Sequence, residues 1–208
     1  SPFSASAAER ARRRYRANMK TYRAAIIGMG KSVGNHLNAI HELGERVKLV
    51  AAVDIDEARV REISAANGIP HWYTKSAEML TTEHPDIVLI VTPPATHETL
   101  CIEALEAGAW VFCEKPLCAS LAEFDAITRA EEQTGRFVST VFQWRFGSAA
   151  KHLKHLIDAQ ALGKTLVGVC NTLWYRNQSY YDVPWRGKWR TEIGGPTLTL
   201  GVHLTDLF

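Results

Sequence analysis

Long apolar runs are missing from this chain: nothing in its 208 residues approaches the roughly 18 consecutive apolar positions that would span a bilayer. Cysteine is scarce and spaced wrongly for metal. Cys101, Cys113, Cys118 and Cys170 form neither a CxxC pair nor a zinc-ligand pattern, so they read as reduced packing thiols of a cytoplasmic protein, and no metal is expected. A surplus of one charge is missing too. The formal net charge is +2, and it arises from Ser1 to Asn18, where five arginines (Arg10, Arg12, Arg13, Arg14, Arg16) face only Glu9. Without that arm the chain counts 19 basic and 21 acidic residues; the arm itself could serve a nucleic acid, but an upstream extension is the favoured reading, and no nucleic-acid partner is expected. The arm has no apolar h-region and is no secretory signal. It reads as a disordered extension, residues 1–18, ahead of a body that starts near Met19. The apolar share of 46% and charged share of 22% are ordinary for a soluble globular chain.

What is present is an alternation of strands and helices every 20 to 30 residues, the pattern of a doubly wound parallel sheet. Arg23 to Ile27 reads as a strand that runs into Gly28-Met29-Gly30-Lys31-Ser32-Val33-Gly34. Val33, Leu37 and Ile40 then share one helical face at i, i+4 and i+7. Strand, glycine turn and helix make the context of a dinucleotide fingerprint, with the anion at the helix start. Strict G-x-G-x-x-G spacing fails, because Val33 holds the third glycine's place. The next strand, Val47 to Val53, ends in Asp54, 24 residues after Gly30, roughly where an acidic side chain would hold the adenine ribose. Asp56 competes for that role but is better placed to cap the helix Glu57 to Asn67, which Gly68 and Pro70 end.

A short strand around Trp72 and a helix around Ala77 to Leu80 follow. Asp86 to Val91 is a continuous apolar run, as expected of a strand covered on both faces. It stops at Thr92-Pro93-Pro94-Ala95-Thr96-His97, a stiff turn where a nicotinamide could lie. His97 could face that turn or pack on the helix it opens. Thr96 to Gly108 predicts a helix, and Val111 to Cys113 a buried strand that ends in Glu114-Lys115-Pro116-Leu117. Charges at the carboxyl end of such a strand belong to the ligand crevice of an open α/β sheet, and Pro116 keeps Lys115 extended. Ser120 should cap a helix Leu121 to Gln133. A sixth strand-like run, Arg136 to Val141, leads to Gln143-Trp144-Arg145-Phe146.

Together the glycine turn, the acidic end of strand two, TPPATH and CEKPL resemble the Gfo/Idh/MocA oxidoreductases over Met19 to Phe208. The resemblance implies a dinucleotide-binding domain at 19–143 and, at 144–208, the start of a substrate and oligomerisation domain with a mostly antiparallel sheet. It implies NAD as cofactor, with NADP left open, and a homodimer or homotetramer at full length. Lys115 becomes the candidate active-site lysine, and His203 the candidate active-site histidine. Cofactor contacts are expected from Gly28, Met29, Gly30, Ser32, Val33, Asp54, Thr92, Pro93, Pro94, His97, Glu114, Lys115 and Gln143. The family usually carries aspartate four residues before its histidine; Thr199 stands there and cannot supply an anion.

Beyond the first domain, Ala149 to Ala161 predicts a helix with Leu153, Leu156 and Ile157 on its apolar face. Thr165 to Trp174 alternates apolar and polar residues, as a strand with one wet face would. Aromatics and cations then interleave from Tyr175 to Arg190, which could suit bases but equally suits sugar rings. Arg145, Tyr180, Trp185, Arg186, Lys115 and His203 are the candidate substrate contacts. The last residues, Gly201 to Phe208, stop inside an apolar helix-like segment, so the chain is read as a piece of a longer protein. The expected activity is NAD(P)-dependent hydride transfer to and from a sugar, cyclitol or related polyol. Two other readings stay open: an NAD-binding regulator without turnover, and NAD-assisted elimination or hydrolysis of a glycoside.

Overall fold

A computed structural model describes residues 20–208; the basic arm, residues 1–18, lies outside them. By its contacts the chain divides into two compact units, one ending at Ile87 and the other running Val88–Phe208. The first unit contains β1 (Tyr22–Ile27), α1 (Val33–Leu43), β2 (Val47–Val53), α2 (Glu57–Asn67), β3 (His71–Tyr73) and α3 (Ser76–Glu83). β1 and β2 pair in parallel from Tyr22 opposite Val47 to Ile27 opposite Val53, with a register shift between Ala24 and Ala25. β2 and β3 pair in parallel from Ala51 to Val53. Ala24, Ala25, Ile26, Val50, Ala51 and Ala52 are all buried. Consecutive burial means both faces are covered, the reason these strands read as unbroken apolar runs.

Local chemistry sets the element ends. The Asp56 carboxylate accepts the Arg59 N–H at 3.1 Å, which opens α2; such a cap stabilises a helix by about 1 kcal/mol. Gly68 closes α2 in the left-handed region at φ +65°, a conformation that costs glycine least. Glu83, at the end of α3, is buried, and its carboxylate accepts from Tyr73 Oη (2.7 Å), Arg23 Nη2 (3.0 Å) and the His71 ring (2.6 Å). Burial alone would raise its pKa, but those donors together hold it below the usual carboxylate value.

In the second unit β4 (Ile87–Ile90) leads through a tight turn at Pro94–Thr96 into α4 (His97–Glu106). β5 (Trp110–Cys113), α5 (Leu121–Thr134) and β6 (Val138–Thr140) follow. β5 and β6 pair in parallel from Val111 to Cys113. Ser120 caps α5 by accepting the Glu123 N–H at 3.2 Å. The six strands form one sheet in the order β3-β2-β1-β4-β5-β6, which is the doubly wound order of a Rossmann fold. After β6 come α6 (Ser148–Asp158), the single-turn helices α7 (Gln178–Tyr181) and α8 (Trp189–Glu192), a wide turn at Thr197–Gly201, and α9 (Val202–Leu207).

One expected strand did not form. Thr165 to Trp174 carries no strand, and Leu166, Val167, Val169 and Leu173 are exposed. Its alternating pattern supplies one apolar face, but a strand also needs a neighbour to take its N–H and C=O groups. No neighbouring strand exists there among the described residues, and no second sheet. The apolar stripe of α6 is likewise uncovered, with Leu153 and Ile157 both 48% exposed.

Candidate functional site

The first unit builds its site at the carboxyl ends of β1 and β2. Gly28 takes φ +101°, a turn that a side chain would resist, and its N–H donates to Val53 O at 2.8 Å. The chain then reverses so that the Met29 N–H donates to Asp54 Oδ2 at 2.6 Å, while Asp54 Oδ1 accepts from Asp56 N at 2.9 Å. The acidic residue at the end of β2 is thus fixed against the glycine turn, with lone pairs left for further donors. Met29 and Val33 are themselves buried, so they support the turn from beneath. Gly30 is different. A Cβ there would meet no protein atom within 4 Å, and its φ lies outside the left-handed region. Neither packing nor backbone strain calls for glycine at that position; the missing methyl leaves space beside the helix start.

That helix start is open to an anion. α1 has no acidic residue in its first turn, and Ser32 makes no side-chain cap. The Val33 and Asn35 N–H groups donate within the turn, to Gly30 O (3.1 Å) and Ser32 O (3.2 Å), so what the helix start offers an anion is chiefly the positive end of its dipole. Lys31 and Ser32 are exposed beside it. Open space at Gly30, a helix start with no acidic residue in its first turn and a fixed carboxylate at Asp54 fit a dinucleotide.

In the second unit the turn after β4 is braced from within. The Thr92 and Thr96 hydroxyls bond to each other at 2.7 Å, and Thr96 Oγ1 donates to Pro93 O at 2.9 Å. The His97 ring is 0% exposed, with Nδ1 2.8 Å from Pro116 O and Nε2 2.9 Å from Thr92 O. Of the two orientations open to His97, the structure takes the packed one: the ring ties the Thr92 turn to the segment after β5. Burial pushes its pKa down, and the two carbonyls and Glu114 only partly offset that.

Lys115 follows β5 by two residues and reaches far along the chain, its Nζ donating to Thr199 O at 2.7 Å. Burial lowers its pKa; Glu114 opposes this, while Arg186 and Arg176 add to it. Thr199 and Tyr180 line a cavity of about 200 Å³ together with Tyr181, Lys188, Glu192 and Pro196. The Arg186 guanidinium lies 3.9 Å from the Tyr180 ring centroid and 4.3 Å from that of Trp185. It bonds the Tyr180 hydroxyl and pairs with the buried Glu192 at 3.4 Å. Tyr180, Trp185 and Arg186 are thus brought together, and Lys115 bonds Thr199, which lines the same cavity as Tyr180.

His203 is buried, stacked on Trp144 with 5.2 Å between ring centroids and 15° between planes. Its Nδ1 is buried without a hydrogen-bond partner among the described residues. The Thr199 hydroxyl does not serve it, since that group donates to Gly195 O at 2.9 Å. Burial and the nearby Lys115 charge lower the His203 pKa, against weaker opposition from Glu114 and Asp206.

Arg145 and Gln143 stand apart from this arrangement. Arg145 Nε donates to both Asp206 oxygens at 2.8 and 2.7 Å, so its guanidinium is turned to a carboxylate rather than to the cavity. Gln143 is exposed on the turn after β6. Sequence reasoning missed Trp144, which orients His203, the buried Glu192, and Arg176, which stacks on Trp174 and Tyr180. Only Arg176 carried a local signal, a cation set among aromatics. No three His, Cys, Asp or Glu side chains cluster as metal ligands among the described residues, and none of the described helices is long and apolar enough to cross a membrane.

Comparison with known proteins gives two family matches. Residues 22–142 match the family described as "Oxidoreductase family, NAD-binding Rossmann fold", and residues 150–208 match the "GFO/IDH/MocA C-terminal domain". The chain is 33% identical over 144 residues to scyllo-inositol 2-dehydrogenase (NAD(+)) of Bacillus subtilis, covering 69% of this chain and 42% of that protein. It is 34% identical over 129 residues to D-apiose dehydrogenase of Paraburkholderia graminis, covering 61% and 34%. Among solved structures, the WlbA dehydrogenase of Bordetella pertussis, in complex with NADH and UDP-GlcNAcA, superposes with a TM-score of 0.86 at 28% identity, over 90% of this chain and 54% of that one. The chain thus spans less than half the length of the curated relatives it matches here.

Proposed function

This chain belongs to the GFO/IDH/MocA oxidoreductase family, whose first domain is an NAD-binding Rossmann fold, and from that premise we propose that the whole protein transfers a hydride reversibly between nicotinamide and a carbinol carbon of a sugar, cyclitol or related polyol. The observation that carries this reading is the Lys115 amine, desolvated and bonded at 2.7 Å to the Thr199 carbonyl in the cavity wall. Relatives named as inositol and apiose dehydrogenases support the substrate class.

When bound, NAD supplies the hydride chemistry, and the protein supplies orientation and proton management. The Gly28–Val33 turn and Asp54 would hold the dinucleotide, and within the second unit His97 keeps the Thr92–Pro94 turn tied to Pro116. Lys115 takes the hydroxyl proton during oxidation and donates to the carbonyl during reduction. A lowered amine pKa suits both duties near neutral pH. His203, with an unpartnered Nδ1, offers a second proton site or a hydrogen bond to a substrate hydroxyl. Tyr180, Trp185 and Arg186 form the wall against which the ring packs.

In this reading residues 19–143 are the dinucleotide domain and 144–208 begin a substrate domain. There the uncovered apolar residues of Thr165–Trp174 would enter an antiparallel sheet that supports a dimer or tetramer in the cytoplasm. A substrate panel of cyclitols, aldoses and polyols on the full-length protein, followed by NADH absorbance, tests the reading. Steady NADH production supports it. NAD binding without turnover would point to a regulator, and glycoside cleavage without net NADH to the elimination mechanism.

A further inference from the structure

The turn Gln143–Phe146 follows β6, and the Gly147 N–H closes it onto Trp144 O at 3.1 Å. Two adjacent side chains of that turn reach α9. Trp144 stacks on His203 with 5.2 Å between centroids and 15° between planes. Arg145 grips Asp206, one helical turn beyond that histidine, through Nε at 2.8 and 2.7 Å. The Trp174 ring meets Trp144 edge-on, at 5.0 Å and 63°, so the indole is itself supported by a second aromatic ring.

An imidazole can be held by a hydrogen bond to a ring nitrogen or by packing on its face. The hydrogen bond sets the tautomer as well as the plane, whereas stacking by itself sets the plane and claims neither nitrogen. His203 shows the second arrangement. It is 4% exposed, and its Nδ1 is buried with no hydrogen-bond partner among the described residues. The neighbours that could have served it are committed elsewhere. The Thr199 hydroxyl, one turn earlier, donates to Gly195 O at 2.9 Å, and the Asp206 carboxylate, one turn later, accepts from Arg145. A buried polar atom left unpaired costs stability, and a functional role is one reason for a fold to retain it. Lys115 and Glu114, from the end of β5, and Asp206, from its own helix, are the charged groups that face the ring.

We propose that Trp144 is the positioning residue of this site: by stacking it fixes the plane of the His203 ring and so keeps Nδ1 free to exchange a hydrogen bond with a substrate hydroxyl. In this role Trp144 acts through His203 and not on substrate or cofactor. The proposal rests on the reading of His203 as a substrate-facing group of a dehydrogenase and adds what holds it there.

Trp144→Leu and Trp144→Phe in the full-length protein test it, the first deleting the aromatic face and the second keeping it. A small misplacement of a group at the chemistry costs up to about a hundredfold, so kcat of Trp144→Leu on a turned-over cyclitol or sugar is expected to fall about tenfold to a hundredfold. NADH affinity should stay unchanged, and Trp144→Phe should recover most of the lost rate. Proton NMR of the His203 ring, assigned by its absence in His203→Asn, reads the stack without any turnover. Its carbon-bound protons should lie upfield of those of the exposed histidines, shifted by the indole ring current, in the unsubstituted protein. The shift should persist in Trp144→Phe and be lost in Trp144→Leu. If Trp144→Leu does not fold, the unsubstituted spectrum decides: an upfield His203 signal supports the proposal and an unshifted one overturns it. A Trp144→Phe as slow as Trp144→Leu, or an NADH affinity that falls along with kcat, also overturns it. Full kcat in Trp144→Leu sinks this inference and leaves the dehydrogenase reading standing. A shifted, Trp144-dependent signal in a protein that turns over no sugar or cyclitol supports the positioning and sinks the dehydrogenase reading.

Discussion

Gly30→Ala separates what the fold requires from what the cofactor requires. A methyl at this position meets no protein atom within 4 Å, and the backbone there is outside the left-handed region. The fold should therefore tolerate alanine, and restricting the unfolded chain should add about 0.4–1 kcal/mol of stability. A pyrophosphate lying over the turn would meet that methyl directly. Forcing a methyl into an occupied contact costs about 1–3 kcal/mol, which corresponds to a roughly 5- to 150-fold weaker NAD affinity. Urea unfolding of the apo protein reads the first quantity, and NADH titration reads the second on the same preparation. The reasoning predicts opposite signs: stability unchanged or raised, affinity lowered. Unchanged NADH affinity would show that the pyrophosphate does not lie over this turn. A loss of stability would show that the space at Gly30 belongs to the protein after all.

Lys115→Met should keep the length and apolar packing of the side chain while deleting its amine; kcat should fall by roughly 10²–10⁴ with NADH affinity changed only a few-fold, and a fully active variant would end the proton role. Asp54→Asn should weaken NAD binding about tenfold or more by removing a charged acceptor and should reduce discrimination against NADP. Tighter NADPH than NADH binding by the unsubstituted protein would contradict the ribose role of Asp54. Stability should fall as the solution is acidified below about pH 6.5. His97 and His203 both have native pKa values lowered chiefly by burial, so the unfolded chain binds more protons there and stability follows pH upward. The loss levels off once the pH is under the lowered native values. Urea midpoints between about pH 7.5 and pH 5.5 check this, and a midpoint that rises on acidification would refute it.

Much of the fold was legible because its punctuation is local. Asp56 and Ser120 cap their helices, Gly68 closes one, and each could be read from neighbours three or four positions away. β1, β2 and β4 were legible because the buried part of each is covered on both faces, which leaves an apolar run that needs no knowledge of its partners. β5, expected to be buried throughout, is covered on one face only, with Phe112 37% exposed. Lys115 and the glycine turn were legible from their positions at strand ends. The failures involve long-range partners. Nothing beside Arg145 announces Asp206, 61 positions on, so an arginine expected at the substrate is committed elsewhere. His97 sits at a turn where either orientation is stereochemically open, and the choice is made by the carbonyl of Pro116, 19 positions on. The alternation from Thr165 to Trp174 is a strand's pattern without a strand's partner, and pattern alone cannot supply the ladder.

The central claim is that a hydride passes directly between a carbinol carbon and the cofactor, and isotope tracing reads that transfer without intermediaries. The full-length protein would be incubated with NAD and a turned-over sugar or cyclitol deuterated at the reacting carbon, and the released cofactor examined by proton NMR. The account predicts reduced cofactor carrying deuterium at nicotinamide C4, accumulating in proportion to the oxidised product. Product formed with no deuterium in released cofactor, or cofactor returned unreduced while the label stays in the sugar, would contradict it.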